Sequence, residues 1–367
     1  MQKDALTATG LGTFRRCKRQ YYYSRELLLR RARIATPLRV GKLYHKGHDE
    51  HAKGVSEQDI LDALWAEYES PPPSFMSPHE WHVERETLAQ LLIGHWWRYD
   101  KDDFRVVESE LPFELPLVNP DTGAPSRSFV FSGRLDGIVV LPDERLAVLE
   151  YKTTSEDIAP DSDYWLRLRC DAQISGYYLA ARAMGYDVQT VIYDVTRKPS
   201  IRPRNIPVLD EDGKKIVLDG DGERVRRVHL KKDGTPGAKH GEPIQSANKE
   251  KGWSLVTRLE TATEYGERLL KDIGDRPDFY YARREVPRLD DEIAEFQVEL
   301  WQQSKELLDS RRADRWFRNV GMFTCRNCEF AELCLNGVSL DSETIPSGYV
   351  RLDDPNPELA DEEGAAA

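Results

Sequence analysis

Apolar residues in the first hundred positions recur at intervals of three and four, the spacing of one face of an α-helix. The pattern runs through four segments: YYYSRELLLRRA, PLRVGKLYHKGHDEHAKG, SEQDILDALWAEYE and SPHEWHVERETLAQLLIGHWWRYD. Ser77 opens the last of these and is a suitable N-cap. The sequence therefore predicts a helical N-terminal region over residues 1–103.

The period then changes from helical spacing to strict alternation. FRVVESELPFELPLV, SRSFVFSGRLDGIVVL and RLAVLEYKTT alternate between apolar and polar positions, as consecutive strands do. A helical segment ending at Gly185, DYWLRLRCDAQISGYYLAARAMG, and a further strand, DVQTVIYDVTRK, follow. This order predicts an α/β core over residues 104–197, with a central mixed sheet flanked by helices.

The remainder of the chain is predicted as three further segments. Residues 198–254 are rich in Gly, Pro and mixed charge, which indicates a polar insertion with one or two hairpins and a mobile tip. Helical periodicity returns in residues 255–337. Residues 338–367 hold eight acids and one arginine, a composition that predicts a disordered acidic tail. No internal repeat is evident.

Charge is unevenly distributed along the chain. The net charge of −12 argues against a nucleic-acid partner, but residues 1–50 hold 12 Lys and Arg against four acids. No apolar run approaches the roughly 20 residues of a membrane span, and the N-terminus lacks the pattern of a signal peptide. We therefore expect a cytoplasmic protein without a membrane partner.

Two carboxylates and a lysine lie in the apolar hairpin SGRLDGIVVLPDERLAVLEYKTTS, residues 132–155. Asp136 on the first strand and Glu150 on the second can approach to about 5 Å across an antiparallel pair. Oxygen ligands of this kind suit Mg²⁺ or Mn²⁺. Lys152 shares the face of Glu150, where its charge could orient a water molecule. The alternative is a surface strand pair with a Glu150–Lys152 salt bridge.

The spacing Gly133-x-x-Asp136 followed by Glu150-x-Lys152 resembles the core signature of the PD-(D/E)XK nuclease superfamily, with Leu135 in place of the nominal proline. The resemblance implies a restriction-endonuclease-like core. Gly41-x-x-x-His45 is similar to the histidine motif of RecB-type nucleases, and His48 and His51 are nearby alternatives. Gln173-x-x-x-Tyr177 matches a helix motif of the same enzymes, although a helix that simply covers the sheet would explain its apolar positions.

Specific roles follow from that resemblance. The metal would be held by His45, Asp136, Glu150 and the backbone carbonyl of Tyr151, and Lys152 would be catalytic together with the two acids. Gln173 and Tyr177 would belong to the same catalytic set, lining the site and contacting the DNA backbone or the lysine. Glu108 and Glu110 are further acidic candidates.

Three of the five cysteines are clustered as Cys325-x₂-Cys328-x₅-Cys334, which is the spacing of metal ligands. RecB-like exonucleases of the AddB and CRISPR-associated type carry such a cluster with one N-terminal cysteine. Their resemblance implies a [4Fe–4S] cluster completed by Cys17, with zinc or free thiols as alternatives. Cys170 matches no motif and is expected to be a buried thiol.

The segment around Cys17, FRRCKRQYYYSRELLLRRARI, combines cations with tyrosines, as in a surface for single-stranded DNA. Its DNA-binding candidates are Arg15, Arg16, Lys18, Arg19, Tyr21 and Tyr22. The alternative is a solvated helix face whose tyrosines lie in the core. The insertion, with 14 Lys and Arg against nine acids between Arg197 and Lys251, is a candidate DNA-facing flap.

The resemblance implies a metal-dependent DNA exonuclease that acts on single strands or ends, in recombination and repair or in phage DNA metabolism. A catalytically weak DNA-binding adaptor that partners a helicase or recombinase is the alternative. A sequence-specific restriction endonuclease shares the core but predicts neither the histidine nor the cysteines. The chain has no Walker A motif, so any helicase activity would come from a partner.

Overall fold

A six-stranded mixed sheet is the centre of the computed structural model, which describes residues 3–32, 36–101, 104–338, 340, 343 and 345–359. In chain order the described strands are β1 (Asp4–Leu6), β2 (Leu29–Arg31), β3 (Arg105–Val118), β4 (Pro125–Val140), β5 (Leu146–Thr154), β6 (Val188–Arg197), β7 (Asn205–Pro207), β8 (Val217–Leu218), β9 (Ser254–Leu255), β10 (Thr257–Leu259), β11 (Tyr281–Glu285) and β12 (Tyr349–Arg351).

The described helices are α1 (Ala8–Arg16), α2 (Lys18–Tyr21), α3 (Thr36–Ala52), α4 (Glu57–Glu67), α5 (Pro78–Arg98), α6 (Asp163–Arg167), α7 (Ala172–Ala183), α8 (Ala262–Asp275), α9 (Pro277–Tyr280), α10 (Asp290–Ala313), α11 (Met322–Arg326) and α12 (Ala331–Leu335). A π-helical turn, Tyr22–Glu26, continues α2. No helix in the described ranges combines the length and the apolarity that crossing a membrane requires.

The predicted α/β architecture is confirmed. Strands β3, β4 and β5 form the expected antiparallel meander, and β6 follows β5 in parallel through α6 and α7. β11 adds to β6 in antiparallel orientation, and β1 runs parallel to the first half of β4. The sheet is therefore mixed, with helices connecting its strands.

Strand β5 occupies the interior of the sheet because its central residues are apolar on both faces. Val148 contributes to the larger core cluster, whereas Ala147 and Leu149 belong to a smaller cluster on the opposite side. A strand that is buried on both faces can be apolar at consecutive positions. Glu150, the next residue of β5, is buried as well, whereas residues 151–154 at the end of the strand are half-buried.

Two sequence-based expectations about the chain ends are wrong. The predicted helix YYYSRELLLRRA ends with the π-helical turn at Glu26, and Leu29–Arg31 forms strand β2 instead. The predicted disordered tail includes β12, which pairs antiparallel with β2. Acids of the tail meet cations of the N-terminal region, as in the ion pair of Glu358 with Arg25. Residues 360–367 of the predicted tail lie outside the described residues.

The chain divides into two compact units. Unit 1 comprises residues 1–67, 91–198 and 273–367 and contains the six-stranded sheet. Unit 2 comprises residues 68–90 and 199–272 and contains the pairs β7–β10 and β8–β9. Each unit combines distant stretches of chain, whereas the five predicted segments follow one another in sequence.

Unit 2 contains a short repeat that the sequence prediction missed. LDEDG (209–213), LDGDG (218–222) and LKKDG (230–234) share the pattern L-x-x-D-G. Each leucine forms a bridge with the residue six positions later, and each glycine has a positive φ of 75 to 83°. Such backbone angles favour glycine at the turn. The repeat escapes periodicity analysis because the spacing changes from 9 to 12 residues.

Candidate active site

The candidate site lies where strands β4 and β5 separate. Their ladder ends at the pair Gly137–Leu149, so the next residues, Asp136 and Glu150, are no longer joined by backbone hydrogen bonds. Instead, the amide of Tyr151 donates to Asp136 Oδ2 at 2.7 Å. The carboxylate of Asp136 thereby replaces a ladder bond and is fixed beside Glu150. A Cβ at Gly133 would lie 2.5 Å from Phe113 Cζ, so the glycine of the motif leaves room for that ring.

Helix α3 brings His45 to the same place. The helix packs closely on α5, since a Cβ at Gly47 would lie 2.9 Å from Leu92 Cδ1. His45 Nδ1 is 3.3 Å from Asp136 Oδ2, which makes the imidazole and the carboxylate direct neighbours. A residue from an early helix and an acid from the sheet are thus adjacent, although about ninety positions separate them in the sequence.

A hydrogen-bond network joins Glu150 to the helix motif. Lys152 Nζ donates to Glu150 Oε1 at 2.5 Å and to Gln173 Oε1 at 3.0 Å. The Gln173 amide nitrogen donates to Glu150 Oε1 at 3.0 Å and to the hydroxyl of Tyr177 at 2.8 Å. The side chain of Asp171 caps α7 by accepting a hydrogen bond from the backbone amide of Gln173. Gln173 therefore lies in the first turn of the helix. The side-chain amide of Gln173 therefore connects Lys152, Glu150 and Tyr177 through hydrogen bonds.

Burial and neighbouring charges set the protonation of these groups. Burial raises the pKa of Glu150 to about 8, with the charge of Asp136 adding to the rise and Lys152 opposing it. Burial also raises the pKa of Asp136, but His45, Lys152 and the Tyr151 amide outweigh it, and the net shift is downward. Burial lowers the pKa of His45, yet Asp136 turns the net shift upward. The two acids therefore differ strongly in their readiness to ionise.

These residues fit a hard divalent ion. Glu150 Oε1 is bonded to Lys152, whereas Glu150 Oε2 is buried and has no hydrogen-bond partner among the described residues, which leaves this oxygen available to a metal ion. Asp136 and the ring of His45 supply the further oxygen and nitrogen donors that Mg²⁺ and Mn²⁺ accept. Within the described ranges, no group of three or more His, Cys, Asp or Glu is already arranged around a metal-sized position.

Two more acids line the cavity that contains His45 and Asp136. Glu110 lies opposite Asp136 on β3, and its pKa is raised by burial and by the Asp136 charge. Its φ of 50° is unusual for a residue with a side chain, and such strained backbone is frequent at functional sites. Asp49, which sequence reasoning missed, follows His45 by one helical turn. Glu108 is exposed and does not line the cavity.

A comparison with protein families agrees with this geometry. A family model for the PD-(D/E)XK nuclease superfamily matches residues 5–335. The chain belongs to the PD-(D/E)XK nuclease superfamily. The family indicates nuclease chemistry, for which its members usually use Mg²⁺ or Mn²⁺, and the mixed sheet flanked by helices agrees with a restriction-endonuclease-like fold.

Other comparisons add little to the family assignment. A solved structure described as "Crystal structure of SSO0001" is 10% identical, and the alignment covers 92% of this chain and 89% of that one. Its TM-score of 0.32 is too low to support an inference about fold or function. No curated protein matches the chain.

A buried polar network that adjoins the candidate site, with His48 and Tyr151 lining its cavity, was missed by sequence reasoning. His48 is stacked on Tyr151, with ring centroids 4.1 Å apart, and it also contacts His95. His95 Nε2 lies 2.9 Å from Asp194, which also accepts a 2.8 Å bond from Arg283. Burial lowers the pKa of His48 well below its ordinary value. His48 is thus a core residue, and its spacing of three from His45 was the available signal.

The four cysteines named as cluster ligands lie around one cavity of the nuclease. Cys17, between α1 and α2, lines this cavity with Cys325, Cys328 and Cys334. The Asn319 amide donates to Cys17 Sγ at 3.4 Å, and Arg318 donates to Cys334 Sγ at 3.3 Å. Four thiols around one cavity are the donor type that a tetrathiolate group requires, although within the described residues they are not arranged around a metal-sized position. Cys170, expected to be buried, is exposed, so that prediction is wrong.

The prediction that Tyr21 and Tyr22 form part of a DNA-binding surface is also wrong. Tyr21 is buried and Tyr22 is half-buried, and both rings stack on Trp316 in the core. The helix turns its tyrosines inward because they fill the space between α1 and the C-terminal segment. Among the cations, Arg15 and Arg16 are exposed. Lys18 is paired with Glu306, and Arg19 lines the cysteine cavity.

The contribution of Glu150 to the stability of the metal-free protein is expected to fall as the pH rises from about 4.5 to about 8. Folded Glu150 keeps its proton until about pH 8, whereas in the unfolded chain its pKa is near 4.5. The folded state therefore binds the extra proton in this window, and stability is lost as the proton leaves. The loss should be on the order of a few kcal/mol.

Thermal unfolding in a chelator at pH 5.5 and pH 8 measures this effect. Glu150→Gln, a neutral mimic of the protonated side chain, should flatten the dependence relative to wild type. Glu114→Gln changes an exposed acid on β3 and should leave the dependence as in wild type. Equal slopes in wild type and Glu150→Gln would contradict the assigned pKa.

Proposed function

We infer that the protein is a divalent-metal-dependent deoxyribonuclease that removes nucleotides from single-stranded DNA or DNA ends. The observation that supports this most is the juxtaposition of His45, Asp136, Glu150 and Lys152 where β4 and β5 separate, with Glu150 Oε2 buried and unpaired among the described residues. A superfamily of nucleases supplies the reaction class.

The mechanism assigns distinct tasks to the residues present. His45, Asp136, Glu150 and the Tyr151 carbonyl would hold Mg²⁺ or Mn²⁺. When bound, the ion supplies Lewis-acid polarisation of the phosphate and offsets the negative charge that develops on its oxygens. Lys152 would orient the attacking water or stabilise that charge, as its raised pKa keeps it protonated.

Gln173 and Tyr177 would act as positioning residues. Burial and the charge of Glu150 raise the pKa of Tyr177 well above its ordinary value, so the hydroxyl stays protonated. Gln173 accepts from Lys152 and donates to Glu150, and it therefore limits the rotamers of both. Preorganised donors of this kind reduce the cost of reorganisation during the reaction.

The four-cysteine cavity supports a [4Fe–4S] cluster as part of the proposal, with zinc as the alternative. Cys17 comes from the N-terminal helices and the other three thiols from the C-terminal segment, so a bound group would join the two ends of the chain. Such a group would act as a structural staple. This placement of the thiols also favours the RecB-like subgroup, for which a cytoplasmic location and a helicase or recombinase partner are expected.

Purified protein with Mn²⁺ or Mg²⁺ should degrade linear single-stranded DNA from its ends, and a chelator should stop the reaction. Circular single-stranded DNA of the same sequence should persist, since an exonuclease requires an end. Cleavage of both forms at similar rates would replace the exonuclease assignment with an endonuclease. DNA binding without cleavage under either ion would favour the adaptor function instead.

A further inference from the structure

A two-stranded arm in unit 2 differs from the rest of that unit in its charge. Residues 225–244, called the basic arm here, form a hairpin closed by backbone hydrogen bonds from Ile244 to Val225, from Arg227 to Glu242 and from Lys231 to Thr235, all between 2.8 and 3.0 Å. The turn at Asp233 and Gly234 is its tip. The basic arm is therefore an ordered ladder, and it contains the third of the three L-x-x-D-G turns.

Charge reverses sign between the first two turns and the basic arm. Residues 209–224 hold six acids and three Lys or Arg, whereas residues 225–244 hold two acids and five Lys or Arg. In the first two turns the residue after leucine is Asp210 or Asp219, whose side chain accepts backbone amides of its own turn. Lys231 takes this position in the third turn. The geometry of the third turn therefore does not require a lysine at position 231.

The third turn keeps its shape by another route. Asp233 Oδ1 accepts the amide of Thr235 at 3.0 Å and its hydroxyl at 2.6 Å. This local bonding leaves the two consecutive lysines, Lys231 and Lys232, exposed at the tip. Within the described residues neither lysine side chain forms a hydrogen bond or an ion pair. Long cationic side chains in this state retain their conformational freedom and their full charge for a ligand.

Four arginines elsewhere in unit 2 show the contrast. Arg204, Arg224, Arg258 and Arg268 all bind carboxylates of the unit. In the basic arm, by comparison, the side chain of Arg226 donates to the backbone carbonyl of Gly241 and has no acidic partner among the described residues. The side chains of Arg227 and Lys239 have no acidic partner among the described residues. Four arginines of unit 2 are thus paired with acids, whereas the cations of the basic arm have no such pairing among the described residues.

The remaining surface of the basic arm indicates the kind of ligand. Val228 and Leu230 lie between Arg227 and Lys231 in the sequence and are 79% and 52% exposed. The arm contains no Phe, Tyr or Trp, so it offers charge and small apolar contacts but no stacking platform for bases. A ligand with a regular series of negative charges, recognised without base readout, matches this surface.

We propose that the basic arm binds the phosphate backbone of the DNA substrate outside the cleavage site. The proposal rests on the proposed nuclease function, which brings DNA to the protein. The proposal also assigns a function to unit 2, because none of the residues placed at the candidate metal site belongs to that unit. An arm that grips the backbone would retain DNA between successive cleavage events.

Two double variants provide a matched test. Lys231→Gln with Lys232→Gln removes two charges from the third turn, and Lys214→Gln with Lys215→Gln removes two charges from the acidic first turn. Binding of a labelled single-stranded oligonucleotide is measured by fluorescence anisotropy in chelator, over a series of salt concentrations. The first variant should lose on the order of tenfold in affinity at moderate salt, and its salt slope should fall by about 1.4, or about 0.7 per lost phosphate contact. The second should match wild type.

The outcomes separate the two proposals. Equal affinities and slopes for both double variants would overturn the role of the basic arm, even where the wild type binds and cleaves DNA. Binding by the wild type without cleavage in Mg²⁺ or Mn²⁺ would overturn the nuclease activity, while the comparison of the variants would still decide the arm. An acidic polypeptide of equal charge that binds as tightly as DNA, and loses affinity in the same variant, would assign the arm to a protein partner instead.

Discussion

Asp136→Asn is expected to lower the rate of DNA cleavage by on the order of 10³-fold or more, because it removes a charged ligand of the proposed metal ion. The asparagine keeps an oxygen that can accept the Tyr151 amide, which Asp136 accepts at 2.7 Å in the wild type. The substitution therefore changes charge with little change in shape. Cleavage of labelled linear DNA in saturating Mn²⁺ or Mg²⁺ is the measurement.

The fold should survive this substitution. His45 loses its anionic neighbour, but the 2.5 Å hydrogen bond from Lys152 to Glu150 does not involve Asp136. Thermal unfolding in chelator should therefore stay close to wild type, and metal-independent DNA binding should remain. Retained folding and binding with lost cleavage would distinguish a chemical role from a structural one.

Asp143→Asn is the control for the same exchange. Asp143 lies in the turn that joins β4 to β5 and pairs with Arg145 at the surface. Surface ion pairs contribute little to stability, so this variant should cleave DNA at the wild-type rate. Cleavage by Asp136→Asn at a rate within tenfold of the wild type would contradict the proposed metal site.

Cys17→Ser is expected to remove the absorbance near roughly 400 nm that iron–sulfur proteins show, and to destabilise the fold strongly. Cys17 lines the cavity of Cys325, Cys328 and Cys334, and a bound cluster would link chain segments that are about 300 residues apart. Metal binding that couples to folding stabilises by several kcal/mol, so we expect the melting temperature to fall by about 10 °C or more.

Cys170→Ser is the matched control, since Cys170 is the exposed cysteine outside the cavity. It should keep the absorbance and the melting temperature of the wild type. Anaerobic purification followed by iron, sulfide and zinc analysis identifies the bound group. Stoichiometric zinc without iron would replace the cluster with a zinc site, and the absence of both metals from the wild type would refute a metal staple.

The sequence predicts the core of the site because its signals are local. Asp136, Glu150 and Lys152 lie on one hairpin, where alternation and a short turn determine which side chains are adjacent. Gln173 and Tyr177 are four apart on one helix and therefore share a face. The assignment of His45 needed the family resemblance, since no local pattern places α3 beside β4.

Other features depend on tertiary packing and could not be predicted in this way. Tyr21 reads as a nucleic-acid contact in a basic segment, but Trp316, almost 300 residues later, covers its ring. The bond between His95 and Asp194 joins residues 99 apart. The acidic composition of the tail suggests disorder when it is considered alone. Pairing of β12 with β2 becomes visible only when both ends of the chain are considered together.

The pairing of β2 with β12 has a consequence for biosynthesis. After strand β2 has been synthesised, more than 300 further residues must be added before its partner β12 is complete. At about 5–20 residues per second, this delay lasts roughly 15 seconds to one minute. During that time the apolar residues near Cys17 lack their final cover, so nascent chains of this protein are expected to depend on chaperones more than their size suggests.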